Sequence, residues 1–220
     1  MAQYSVGIST QAKILDSCRT LFYQKGVLNT SYGEICAAAD INRGLIPYYF
    51  KSKNNIATII FREFIEEADR LILEICGEDE NLRFITTNAL YYDLEKRDPN
   101  FCRFYDEIEY SAFWSELTLE MQYRVINKMI DHNSLQLSDD ARRTVACMCE
   151  GVEKELVHGI ASGFLLEDAW SIAERDSMFF LGVLGIDKAV IQRYLEQSKT
   201  IYNTYCLYCA PDFSASLRRR

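Results

Sequence analysis

The chain has 220 residues, 49% apolar and 25% charged, which suits a soluble helical protein of one large or two small domains. Its longest nearly unbroken apolar run, Met178 to Ile186, is too short to cross a bilayer, and MAQYSVGIST lacks the basic start and apolar stretch of a signal peptide, so a cytoplasmic protein is expected. The net charge of −8 is unevenly spread: residues 1–53 hold six Lys/Arg and three Asp/Glu (+3), and residues 54–220 hold 18 and 29 (−11). A basic head on an acidic body suits a protein whose head meets phosphates that its body repels.

In chain order, residues 1–9 read as a polar, mobile arm. A first helix is predicted from about Thr10 to Lys25, with apolar positions 14, 15, 18, 21 and 22 at helical period and Gly26 as its stop. Ser31 with Glu34 forms a capping box for a short second helix that ends at Asp40. Asn42 is placed to cap a third short helix carrying Arg43, Ile46, Tyr48, Tyr49 and Phe50. Two short capped helices around a tight turn have the form of a helix-turn-helix, whose second helix enters the DNA major groove.

Lys53 opens a fourth helix to about Cys76, which belongs to both halves of the chain and is the natural lever between them. A fifth runs from Leu82 to Arg97. Asp98-Pro99 restarts the chain into a sixth, to about Ser115. A seventh spans Leu117–His132. An eighth runs from Asp139 to about Phe164 with the stripe Val145, Met148, Val152, Leu156, Ile160 and a small-residue row Gly151, Gly159, Gly163. A ninth covers Glu167–Leu184, and a tenth runs from Asp187 to about Cys206. No strand alternation stands out, and residues 211–220 are expected to be a disordered tail. The expected fold is all-α: a head at 1–53 and a larger helical body at 54–210.

Residues 10 to 60 resemble the N-terminal domain of the tetracycline-repressor (TetR) family of bacterial regulators. The resemblance is carried in order by Ile14, Leu15, Cys18, Leu21 and Phe22, then Gly26, Thr30-Ser31, Ile35 and Ala37-Ala38-Ala39. It continues through Ile41-Asn42-Arg43-Gly44, Tyr49-Phe50, Ser52-Lys53 and Ile56. Where that family usually has Thr, Leu, Tyr in the recognition helix, this chain has Leu45, Ile46, Pro47. Proline inside a helix removes a donor and clashes with the preceding turn, so the helix is expected to start later or to run as a tighter turn.

The resemblance implies DNA contacts at Thr30, Ser31, Arg43, Gly44, Leu45, Tyr48, Tyr49 and Lys53. Thr30 and Ser31 would meet phosphate at a helix N-terminus. Arg43 can pair bidentately with guanine, Tyr48 and Tyr49 can reach phosphate or a thymine methyl, and Lys53 would bind phosphate. It also implies a two-fold homodimer through helices eight and nine. An inducer pocket is implied near the aromatic-rich stretch 91–114, with Tyr91, Tyr92, Phe104, Tyr105, Glu109, Phe113 and Trp114 as ligand residues. Rings interleaved with Asp106, Glu107 and Glu109 suit an aromatic or cationic small molecule.

No phosphate-binding glycine loop, GxSxG or HExxH is present, so no enzyme, cofactor or metal is expected, and His158 reads as a packing residue. The eight cysteines, at 18, 36, 76, 102, 147, 149, 206 and 209, read as reduced small hydrophobes. Cys206 and Cys209 form a lone CxxC open to a redox or metal role. The expectation is a ligand-responsive repressor that binds a palindromic operator. The alternative is a small-molecule or thiol-sensing helical protein that has lost specific DNA binding, with Pro47 as its support.

Overall fold

The computed structural model describes the backbone of residues 2–110 and 112–220, and side chains from residue 10 onward other than 111–113 and 116. Among these residues the chain is all-α apart from one C-terminal hairpin. The elements are α1 (Ala2–Lys25), α2 (Tyr32–Ala39), α3 (Leu45–Phe50), α4 (Lys53–Cys76), α5 (Glu80–Arg97), α6 (Pro99–Glu109), α7 (Ala112–His132), α8 (Asp139–Ala161), α9 (Ala169–Val183), α10 (Lys188–Thr204), β1 (Tyr205–Cys209) and β2 (Ala215–Arg219). The residues expected to be a mobile arm continue α1 back to Ala2.

Helix ends follow the local chemistry. Ser31 and Glu34 form a reciprocal capping box on α2, and Asp40 ends that helix in the left-handed region at φ 52°. Asp98 caps α6 through the N–H groups of Asn100 and Phe101, with Pro99 in the first turn, where its missing N–H would have no partner anyway. Gly26 takes φ +83°, and a Cβ there would lie 2.4 Å from a carboxylate oxygen of Glu107, so both conformation and space call for glycine.

Two apolar cores form. One runs from Ile14, Phe22, Ile35 and Ile46 through Phe61 and Phe64 of α4 to Phe101 and Phe104 of α6, passing residue 53 without a break. The other joins α5 to α7, α8, α9 and α10 around Ile85, Ile126, Ala173 and Phe180. On α8 the buried row is Val145, Cys149 and Val157, while Met148 of the expected stripe faces outward. Gly159 is buried against Leu165 of its own chain, which would lie 2.9 Å from a Cβ there. His158, expected to pack, is exposed and paired with Asp106 at 2.9 Å.

The tail is the main correction. Residues expected to be disordered form β2, antiparallel to β1, in register from Tyr205↔Arg219 to Cys209↔Ala215. The aromatic-rich YCLYC favours the strand, and α10 stops at Thr204, whose carbonyl accepts from Arg220 at 2.9 Å. Phe213, at the hairpin tip, is buried against Phe104 (ring centroids 4.4 Å apart) and Tyr23 (5.9 Å). Glu67 of α4 accepts from the Ala215 N–H at 2.7 Å. Cys206 and Cys209 are both buried in this strand, and burial pushes the Cys209 thiol up, which suits packing rather than thiolate chemistry.

Candidate nucleic-acid interface and internal cavity

In the head, α3 begins at Leu45 with Gly44 as N-cap, later than a cap at Asn42 would place it. Pro47 is therefore the third helical residue. The first N–H groups of a helix have no partner inside it, so proline there sacrifices no hydrogen bond. Arg43, Gly44, Tyr48 and Lys51 are exposed, with Tyr48 at 78%. Tyr48 and Tyr49 meet edge to face at 4.9 Å, and the Arg43 guanidinium lies 5.8 Å from the Tyr32 ring centroid. Leu45 and Tyr49 are half-buried, and Ser31 is exposed at the start of α2.

Two expected contacts lie elsewhere. Thr30 is fully buried, its hydroxyl donating to the Gly26 carbonyl at 2.6 Å. The Lys53 ammonium turns inward, donating to the carbonyls of Val27 (2.8 Å) and Thr30. Both hold the α1–α2 loop, and neither presents its polar group freely to a phosphate. Lys51, absent from the expected set, is the exposed cation at the end of α3.

In the body, a cavity of about 190 Å³ lies between α4, α5, α6, α7 and α8. Four expected ligand residues line it: Tyr91, Tyr92, Tyr105 and Trp114. Phe104 does not; it is core, stacked with Phe22 and packed on Phe61 and Phe213. Glu109 sits behind Trp114, accepting from its indole N–H at 2.9 Å, and burial pushes its carboxyl up to about 7. Phe113 lies outside the described side chains.

The cavity's charge comes from residues outside the expected set. Glu95 and Glu153 line it together with Asp69, Glu80 and Glu150. Glu153 accepts from Tyr105 at 3.0 Å and from Gln122, and burial with neighbouring carboxylates raises it to about 8. Glu95 is 2% exposed, neither carboxylate oxygen has a hydrogen-bond partner, and burial beside Glu153 pushes it well above the usual carboxylate range. The Tyr91 hydroxyl is likewise buried without a partner. A signal for these acids exists in the sequence: Glu153 falls on the buried row Val145, Cys149, Val157, and Glu95 lies four residues after Tyr91.

Residues 14–58 match the family described as bacterial regulatory proteins, tetR family. The match covers the head and stops at the start of α4. Among curated relatives, the probable HTH-type transcriptional regulator YttP of Bacillus subtilis is 44% identical over 59 residues, 27% of this chain and 28% of that protein. HTH-type transcriptional regulator TtgR of Pseudomonas putida is 26% identical over 141 residues, 64% of this chain and 54% of TtgR. The chain thus spans about a quarter to a half of these relatives. Beyond the head, the all-α fold is shared with the crystal structure of RolR in complex with resorcinol, at TM-score 0.64 and 17% identity over 90% of this chain and 97% of RolR. It is shared too with SmeT, titled the repressor of the Stenotrophomonas maltophilia multidrug efflux pump SmeDEF, at TM-score 0.53 and 21% identity over 79% and 91% of the two chains.

Helix α6 touches both regions. Toward the cavity it carries Tyr105, bonded to Glu153. Toward the head, the Arg103 guanidinium donates to the Tyr23 carbonyl at 2.8 Å, and the Tyr23 hydroxyl donates to Asp98 at 2.7 Å. No described helix is long and apolar enough to cross a membrane.

Proposed function

We propose that this protein is a cytoplasmic, ligand-responsive transcriptional repressor and not an enzyme. Residues 1–53 form its DNA-binding unit, and residues 54–210 its ligand-binding and dimerisation unit. The observation that carries the reading is α6, one rigid helix bonded at one face to the cavity wall and at the other to the end of α1. A small molecule that fills the cavity shifts α6 and with it the head.

Around α3, Arg43, Tyr48 and Lys51 are outward polar and aromatic groups, with Gly44 exposed beside them. Ser31 adds a phosphate-facing hydroxyl, and Leu45 and Tyr49 add apolar contact. Two heads are needed to place recognition helices in successive major grooves, roughly 34–36 Å apart. The apolar residues left exposed on α8, α9 and the loop between them (Met148, Phe164, Leu166, Met178 and Phe179) support a two-fold dimer at that face. Effector and operator then oppose each other through one coupling free energy, which acts equally in both directions.

The test is selection of bound sequences from a random DNA pool, with light scattering of the free protein. Enrichment of a palindrome by a particle of twice the 25.5 kDa chain mass is expected. A monomer, or a pool without enrichment, would overturn the reading. Pro47 does not favour a DNA-blind protein, because its position in α3 spares the helix.

A further inference from the structure

We propose that the cavity binds a protonated aryl amine, a one- or two-ring aromatic bearing an alkylammonium or amidinium, with the cation seated on Glu95. The proposal rests on the effector reading above and names the chemistry of the molecule.

The sign of the lining comes first. Among the described lining residues, Asp69, Glu80, Glu95, Glu150 and Glu153 face one cation, Arg83, which is already paired with Glu80 at 3.0 Å. An anion would meet carboxyls whose ionisation its own charge further opposes, and no free cation of the described lining would receive it. Glu153 and Glu150 have donors from the protein, in Tyr105 with Gln122 and in Thr118. Glu95 has none for either oxygen, although it is buried. Buried polar groups in native structures nearly always have partners, so an orphaned carboxyl at a cavity wall marks a place that something else fills.

The shape comes next. Tyr91, Tyr92, Tyr105 and Trp114 give the cavity aromatic walls. Such walls hold a flat ring and add cation–π attraction to the charge. A volume of about 190 Å³ exceeds the roughly 150 Å³ that holds benzene in an apolar cavity, and falls short of a large polycyclic drug. An inorganic cation would leave the aromatic volume empty.

Burial and its acidic neighbours oppose ionisation of the Glu95 carboxyl. Seating an ammonium ionises it, and the proton leaves to solvent. The Tyr91 hydroxyl, also unpartnered, is free to bond the ligand.

The experiment is calorimetric titration of the full-length protein with three probes of one size: 2-phenylethylamine, 2-phenylethanol and 3-phenylpropanoate. The amine is expected to bind roughly tenfold or more tightly than the alcohol, and the carboxylate not at all. Glu95→Gln keeps the shape, and the amine's advantage over the alcohol should vanish. An alcohol that binds as tightly as the amine, or a ratio unchanged in Glu95→Gln, would overturn the proposal. Should that variant fail to fold, the ratio in the unmodified protein still decides. Operator release is read separately on the selected DNA. An amine that binds without releasing DNA supports the site and overturns the effector reading, whereas release by the alcohol alone overturns the cation and leaves the effector reading standing.

Discussion

The carboxylate of Glu107, on α6, accepts hydrogen bonds from the backbone N–H groups of Val27 and of Leu28, the second at 3.0 Å. A body side chain thereby closes the turn that begins the helix-turn-helix. The loop between α1 and α2 has these donors left over from its turn, and α6 supplies the acceptor.

Glu107→Ala is expected to leave both N–H groups without that acceptor, at about 1–3 kcal/mol. Amide hydrogen exchange at Val27 and Leu28 should accelerate well before exchange in α5 does. Unchanged protection of those two amides would show that α6 does not hold the head through this residue.

Arg43→Ala should weaken binding to the selected operator by about 1–3 kcal/mol and relax discrimination at one base pair. Lys51→Ala should weaken binding to all sequences and lower the salt slope by about one. Lys53→Ala should act differently, because its ammonium bonds the Val27 and Thr30 carbonyls. It should lower the melting temperature and leave the salt slope alone. Salt-dependent fluorescence anisotropy with thermal melts separates the three.

Replacing Pro47 with Tyr should leave the fold and the dimer intact and change affinity or site preference. The third residue of α3 gains a donor it does not need, and its side chain lies on the exposed face. Loss of helicity in that variant would show that proline shapes the turn rather than merely occupying it.

Acid and base should act on stability in opposite ways. Burial raises Glu109 to about 7, Glu153 to about 8 and Asp176 to about 6, so the folded chain keeps protons that the unfolded chain gives up near the ordinary carboxylate values. Their stabilising contribution is complete below those ordinary values and is lost as pH rises through the folded ones. Glu34, held at about 2 by Lys25 and then by Ser31, contributes above the ordinary value and loses that contribution as pH falls toward 2. The unliganded protein should therefore melt highest near about pH 5 and several degrees lower near pH 8.5, at roughly 2–4 °C per kcal/mol for a chain this size. A flat profile over that range would mean the carboxyls are less buried than their surroundings indicate.

What the sequence disclosed followed the range of each interaction. The Ser31–Glu34 capping box, the Gly26 turn and the Asp98-Pro99 start are set by residues within four positions, and each was legible. Tyr91, Tyr92, Tyr105 and Trp114 reached the cavity because aromatic density marks buried surface. Phe104 carries the same density, yet its neighbours Phe22, Phe61 and Phe213 come from three distant segments that no local pattern reveals. Glu95 and Glu153 were hidden by the ordinary expectation that acids face water. The CxxC was visible and its strand was not, since β1 needs a partner reached across the turn at Ala210–Ser214.

The hairpin also sets an order in time. Phe213 completes the packing around Tyr23 and Phe104, yet it is synthesised 190 residues after Tyr23. At ribosomal speeds of about 5–20 residues per second, that interval is on the order of ten to forty seconds. A nascent chain can raise its first three helices early, but it cannot close the core beneath them until this aromatic ring emerges.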